Sequence, residues 1–166
     1  AAVATVATGG SSTAAANTAR NGGVVPNMRI GYQTAGTLNA AGDNAVLIAH
    51  FFSANSHAFG RYVPGGPPGY WDAIIGPGKP IDTNRYFVVS ADTPVNLNTG
   101  DPNTITTGPA SVNPATGKPW GMGFPVMSMR DFVETQKALL ESLGVRKLAL
   151  VAGASTAFTG TSGITV

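Results

Sequence analysis

The fold class is decided by one stretch, Lys147-Leu-Ala-Leu-Val-Ala152 followed directly by Gly153-Ala-Ser-Thr-Ala157. Its first half is an apolar run without alternation, which is typical of a strand buried on both faces of a parallel sheet. Its second half consists of small residues, which suit a sharp turn after the strand. Residues 45–50 and 86–90 form two earlier runs of the same kind, and residues 28–33 are rich in β-branched and aromatic residues. The sequence therefore predicts a mostly parallel sheet.

The segment between the second and third runs carries the strongest helix signal of the chain. Ser128 is a favourable N-cap residue, Asp131 follows three positions later as a variant of the capping box, and Gly144 suits the C-terminal end. Apolar residues recur between them with helical spacing, at Phe132, Val133, Leu139, Leu140 and Leu143. A strand, a helix and a strand in this order predict a βαβ unit, so the fold class is α/β.

The rest of the chain divides into an arm, a domain and a long loop. Residues 1–23 are almost all small and show no period, which predicts a poorly specified arm ahead of a domain over 24–166. A short helix is predicted over 70–75, ended by the Gly76-Pro-Gly-Lys-Pro80 turn. Residues 91–125 are rich in Asn, Thr, Gly and Pro, which indicates an ordered loop with a functional role.

Composition and charge exclude several classes of protein. With 43% hydrophobic and 11% charged residues, the 166-residue chain suits one globular domain and not a charge-driven disordered chain. A net charge of +2 gives no footprint for nucleic acid, and no apolar run is long enough for a transmembrane helix. The absence of cysteine removes disulfides and thiolate sites. We expect neither a nucleic acid nor a membrane partner.

The turn after the last strand holds the best catalytic candidate. The Gly153-x-Ser155-x-Ala157 pattern is one methyl group away from the Gly-x-Ser-x-Gly nucleophile elbow, in which a serine sits on a tight strand-to-helix turn. Ser155 is therefore the predicted nucleophile. The backbone amide of Thr156 would provide one donor of an oxyanion hole, and the loop after the 45–50 strand would provide the other. Phe52 is the preferred second donor, with Phe51 as the alternative.

The sequence offers no partner for this serine at the expected place. A serine nucleophile needs a histidine that takes its proton, but no His, Asp or Glu follows Ser155. His50 and His57 precede it, and we interpret both as structural: His50 at the end of a strand and His57 in ordering the oxyanion loop. A rearranged triad through His57 is the minor alternative. The carboxylates are scattered along loops with no spacing typical of a metal site, so no metal is predicted: Asp72, Asp82, Asp92 and Asp101. Trp71 and Trp120 could line an acyl pocket, although core packing is the more common role of tryptophan.

Several stretches together resemble the homoserine O-acetyltransferases and their α/β-hydrolase relatives. The resemblance runs from about Met28 to Ser155, and its most specific parts are residues 75–83 and 113–119. The other matching stretches are residues 29–39, 44–50, 56–57, 69–72, 85–88, 107–109, 124–125, 130–131 and 136–140. The chain departs from the family at residues 93–103, where the transferases usually carry a Gly-Gly-Cys-rich stretch, and after Thr156, where their long helix is replaced by Gly and Thr.

The resemblance implies a partial α/β-hydrolase fold whose C-terminal half is missing or supplied by another chain. It implies acyl transfer in two steps through an acyl-serine on Ser155, with Phe52 and Thr156 as oxyanion donors and acetyl-CoA or an ester as acyl donor. No bound cofactor is implied. A serine esterase and a non-catalytic fragment are the alternatives. We expect a second polypeptide that carries the catalytic Asp and His, and a homodimer of the completed unit stays open. The resemblance favours the cytoplasm, with export left open.

Overall fold

The computed structural model describes residues 3–7, 19 and 22–154. Its central feature is a five-stranded sheet in the spatial order β1-β2-β6-β3-β9. Strands β3, β6 and β9 run parallel, whereas β1 and β2 pair antiparallel at one side. The elements in chain order are β1 (Val3–Ala7), β2 (Arg29–Ala35), β3 (Ala45–Ala49), β4 (Ile75–Gly76), β5 (Ile81–Asp82), β6 (Phe87–Ala91), β7 (Val112–Asn113), β8 (Lys118–Pro119), a 3-10 turn (Gly121–Gly123), α1 (Met129–Ser142) and β9 (Leu148–Gly153).

The two central strands are buried on both faces, as the unalternating apolar runs predict. Leu47 of β3 and Val89 of β6 pack on one face against Leu139 and Leu140 of α1. The other face carries a second cluster, in which Val46, Ile48 and Val88 meet side chains from the 58–81 segment. Because both faces are covered, β3 and β6 form a rigid base for the loops that follow them.

The predicted βαβ unit is present as β6, α1 and β9. Strand β3 lies between β6 and β9 in the sheet, so the connection through α1 crosses over it. The helix begins at the predicted cap, where Ser128 and Asp131 form a reciprocal capping box. It ends before Gly144, whose φ of 83° is the left-handed conformation that terminates a helix. None of the helices in the described ranges is long and apolar enough to cross a membrane.

The prediction of a short helix over residues 70–75 is wrong. Ile74 and Ile75 both donate to the Trp71 carbonyl, which makes one turn, and Ile75 then enters β4 opposite Ile81 of β5. One hydrogen-bonded turn is the costly nucleus of a helix, and the parallel pairing with Ile81 stops its growth. Within the arm predicted over 1–23, Val3–Ala7 form strand β1, in antiparallel register with residues 29–33 of β2. The 91–125 loop is ordered as predicted, with a small hairpin of β7 and β8 inside it.

Candidate active site

The candidate site lies at the carboxyl ends of the parallel strands, where ligands bind in open α/β sheets. The last residue of β3, Ala49, pairs with the last residue of β9, Gly153. His50 and Ala154, the residues that follow these two strand ends, therefore lie at the same edge of the sheet. Ser155 and Thr156, the predicted nucleophile and first oxyanion donor, lie outside the described residues and remain predictions.

The loop after β3 presents Phe52, the predicted second oxyanion donor. Its side chain is 71% exposed. Its backbone N–H donates to no turn or loop hydrogen bond among residues 22–154, whereas the nearby Ala54 amide is taken by the Phe51 carbonyl at 2.9 Å. An amide that is not engaged by the protein is free to receive an oxyanion. The geometry is compatible with the assignment, which remains a prediction, as does the Phe51 alternative.

A buried carboxylate holds this loop in place. Asp92 directly follows β6, is fully buried, and accepts hydrogen bonds from the backbone amides of Ser56 (2.7 Å) and Ile105 (2.9 Å). Burial raises the pKa of this carboxyl, while the two amides and the nearby His50 oppose that shift. The sequence reasoning missed this role and grouped Asp92 with scattered loop carboxylates. Its position directly after a buried strand was the signal.

Asparagine side chains from the 91–125 loop add further anchors. The Asn96 amide donates to the Ala54 carbonyl and the Asn98 amide to the Ser53 carbonyl, each at 3.0 Å. Asn55 donates in return to the Asp101 carboxylate at 3.0 Å. The 91–125 loop therefore fixes the backbone that carries Phe52, and its functional role stays a prediction.

The two histidines have different surroundings. His50 is buried, and its Nδ1 lies 2.8 Å from the Phe51 carbonyl, so Nδ1 is the protonated nitrogen and Nε2 is an acceptor. Burial lowers the pKa of His50, with the carbonyl contact and Asp92 opposing the shift, so the ring is neutral near pH 7. The buried Nε2 has no hydrogen-bond partner within the described part of the chain. The ring of His57 is stacked on Tyr62 at 3.9 Å, and its Nε2 lies 3.3 Å from the Pro67 carbonyl. These contacts favour the loop-ordering role predicted for His57 over the role of a base.

An apolar pocket adjoins the Phe52 loop. Its volume is about 110 Å³. The nine lining residues come from the loops after β3 and β6 and from the start of α1: His50, Phe52, Thr93, Pro94, Val95, Asn96, Leu97, Met129 and Phe132. Neither tryptophan lines it. Trp71 packs against the second core cluster, and Trp120 stacks edge-on against Phe124 with 5.8 Å between ring centroids.

The chain is similar to acyltransferases and to an esterase. No family model matches it. It is 47% identical over 136 residues to a homoserine O-acetyltransferase of Moorella thermoacetica, a match that covers 81% of this chain and 35% of the relative. It is 53% identical over 125 residues to a homoserine O-succinyltransferase of Pseudomonas putida, covering 75% of this chain and 31% of the relative. The chain therefore spans about a third of the length of these relatives.

Two crystal structures extend the comparison to the fold. Esterase E22 superimposes with a TM-score of 0.81 at 56% identity, and the homoserine O-acetyltransferase of Bacillus anthracis superimposes with a TM-score of 0.81 at 45% identity. Each match covers 84% of this chain and 38% of the other. The described sheet is thus part of an α/β-hydrolase fold. Within that class, the chain is similar in sequence to homoserine O-acyltransferases and to esterase E22.

Proposed function

We propose that the complete protein is an acyltransferase that works through an acyl-serine intermediate on Ser155. The observation that supports this proposal is the pairing of Ala49 with Gly153, because Ser155 follows Gly153 by two residues and Phe52 follows Ala49 by three. By analogy with the relatives, the acyl donor is an acyl-CoA such as acetyl-CoA and the acceptor is the hydroxyl group of homoserine.

The proposed reaction has two balanced half-reactions. The Ser155 hydroxyl attacks the thioester carbonyl and gives its proton to a histidine, and the negative oxygen of the tetrahedral intermediate is bound by the Phe52 and Thr156 amides. The carbon–sulfur bond then breaks, and the CoA thiolate leaves with that proton as a free thiol. In the second half, the acceptor hydroxyl loses its proton to the histidine and attacks the acyl-serine. The product ester leaves, and the Ser155 oxygen regains the proton.

We propose that the histidine base and the acid that orients it lie in a part of the complete protein that this chain does not cover. The chain matches only about a third of the relatives' length. No His, Asp or Glu follows Ser155 in the sequence, and the contacts of His57 leave it poorly suited to the task. A C-terminal portion, in the same or a second polypeptide, would supply both residues.

Trapping the acyl-enzyme tests this proposal. The 166-residue chain is compared with a chimera that carries, after it, the remaining portion of the Bacillus anthracis enzyme, and each is mixed with acetyl-CoA and examined by intact mass. We expect one acetyl group on the chimera and its loss in Ser155→Ala. The matched control is Ser53→Ala, an exposed serine of the Phe52 loop, which should keep the adduct. An adduct that survives Ser155→Ala would contradict the serine assignment, and turnover by the chain alone would contradict the need for a C-terminal portion.

Ester hydrolysis is a second candidate, favoured by the 56% identity to esterase E22 against 45% to the Bacillus anthracis transferase over the same share of this chain. The two functions differ in what removes the acyl group. For a transferase, homoserine accelerates the release of the acyl group from Ser155 and is itself acylated. For a hydrolase, the acyl group appears as free acid at a rate that homoserine does not change.

A further inference from the structure

The apolar pocket beside Phe52 has the size and lining of a small acyl site. Six of its nine lining residues are apolar, and Phe52, Leu97 and Met129 at its rim are exposed. A volume of about 110 Å³ is small beside the roughly 300–1,000 Å³ of pockets for drug-sized ligands. It still holds several non-hydrogen atoms, since one water needs roughly 10–15 Å³ on this measure. The pocket therefore suits a short chain.

The charges around the pocket disfavour an anionic chain. Its lining contains no Lys or Arg. His50, whose pKa is lowered by burial, is neutral near pH 7 and adds no positive charge to the lining. The start of α1 could attract an anion, but the Asp131 carboxylate already occupies it, accepting from the Ser128 amide at 2.6 Å and the Ser128 hydroxyl at 2.7 Å. Among the described lining residues, no cation would pair with a terminal carboxylate buried in this pocket.

Val95, a residue of the pocket wall, has an unfavourable backbone conformation. Its φ of 56° lies in the left-handed region, which a β-branched residue rarely adopts. Neighbouring bonds fix it there: the Val95 amide donates to the Thr107 carbonyl, and the Asn96 amide donates to the Thr106 hydroxyl, each at 3.0 Å. Strain of this kind persists only where the surroundings determine it, and such residues cluster at functional sites.

We propose that this pocket binds the chain of the acyl group, that it selects short uncharged acyl groups over anionic ones such as succinyl, and that Val95 sets its depth. The inference rests on the proposed function, since it assigns a chain subsite to the same acyl-enzyme. It goes beyond that function because the relatives include both acetyl and succinyl transferases, and the lining of this pocket favours the former kind of donor.

Two substitutions of Val95 test the depth in opposite directions. Val95→Gly removes the side chain at a φ that glycine adopts without strain, so the variant should fold. Val95→Ile adds one methylene to the wall. The matched control is Asn27→Gly, which relieves a similar φ of 55° at a position that does not line this pocket.

The assay uses the protein expressed from its full reading frame and the p-nitrophenyl esters of acetate, butyrate, hexanoate and succinate. We expect the unaltered protein to prefer acetate and butyrate over the succinate monoester by at least about tenfold in kcat/KM. One methylene in an apolar pocket changes the discrimination between substrates by about 10-fold or more. Val95→Gly should therefore raise the ratio of kcat/KM for hexanoate to that for acetate by about 10-fold. Val95→Ile should lower the ratio of kcat/KM for butyrate to that for acetate by a similar factor. Asn27→Gly should leave both ratios unchanged.

The outcomes separate this inference from the proposed function. Intact mass reports whether Ser155 is acylated at all, and a protein that forms no adduct with any ester overturns both proposals. Acylation of Ser155 with chain ratios that neither Val95 variant changes overturns the pocket assignment alone. A preference for the succinate monoester overturns the proposed selection against anionic acyl groups. The proposed role of Val95 in setting the pocket depth is then decided by the two chain-length ratios alone.

Discussion

Asp92→Ala is the sharpest test of how the site is held together. The substitution removes the acceptor of two backbone amides, Ser56 and Ile105, at a fully buried position. Each buried donor left without a partner costs about 1–3 kcal/mol, and the loss of a buried charge offsets part of that sum. We expect the free energy of unfolding to fall by about 2–5 kcal/mol. For a chain of this size, the melting temperature would fall by about 4–20 °C.

Urea denaturation and hydrogen exchange of the Ser56 amide measure the effect. Loss of about 2 kcal/mol of local stability corresponds to roughly 30-fold faster exchange if the loop opens locally. The matched control is Asp82→Ala, since the Asp82 carboxylate also accepts from two backbone amides, Gly78 and Asn84, but is exposed to solvent, where water can replace it. Equal losses at Asp82 and Asp92, or an unchanged exchange rate at Ser56, would refute the reasoning.

Two further predictions concern stability. Gly36 has a φ of 80°, and a Cβ there would overlap the Tyr86 carbonyl oxygen and lie 2.7 Å from that of Thr83. Gly36→Ala should therefore lower the free energy of unfolding, measured in urea, by about 2–5 kcal/mol. The control Gly78→Ala should lower it by about 1–2 kcal/mol, because φ is 70° there but the space around the new Cβ is open. Similar losses in the two variants would contradict this reasoning. Burial raises the pKa of Tyr70 to about 12, with a nearby Ser90 hydroxyl opposing the shift. The unfolded chain therefore loses the Tyr70 proton at a lower pH than the folded protein does. The free energy of unfolding should fall by about 2–3 kcal/mol as the pH rises from about 10 to 12. A Tyr70→Phe variant that shows the same fall would exclude Tyr70 as its cause.

The central part of the fold could be predicted because its signals are local and strong. Apolar runs without alternation indicated β3, β6 and β9, and the Ser128 and Asp131 pair indicated the start of α1. Strand β1 could not be predicted, because Val3–Ala7 gains its structure from pairing with β2 and not from its own composition. The segment over 70–75 was misread for a related reason: a partner strand, Ile81–Asp82, decides its conformation.

For the candidate site, the sequence suggests a chemistry but does not reveal the contacts that hold the surrounding loops in place. The small-residue pattern around Ser155 and the position of Phe52 after β3 indicated a nucleophile and an oxyanion donor, and both remain predictions. The partners of Asp92 could not be inferred, because Ser56 and Ile105 lie 36 and 13 residues away along the chain. Only the folded loops show that one carboxylate ties them together. The pocket at Val95 could not be predicted for the same reason, because its lining comes from three separate segments of the chain.

The loop segment after β6 contacts both the loop of the proposed oxyanion donor and the pocket. Asp92 and Asn98 bind the backbone of the Phe52 loop and do not line the pocket, whereas Val95 and Leu97 line it. Substitutions at the first pair should therefore slow all acyl donors alike, because every donor has a carbonyl oxygen to stabilise. Substitutions at the second pair should change the ratio between donors, because only the chain differs among them. If both proposals hold, substitutions of the pocket residues change the acyl preference without disturbing the loop that positions the proposed oxyanion donor.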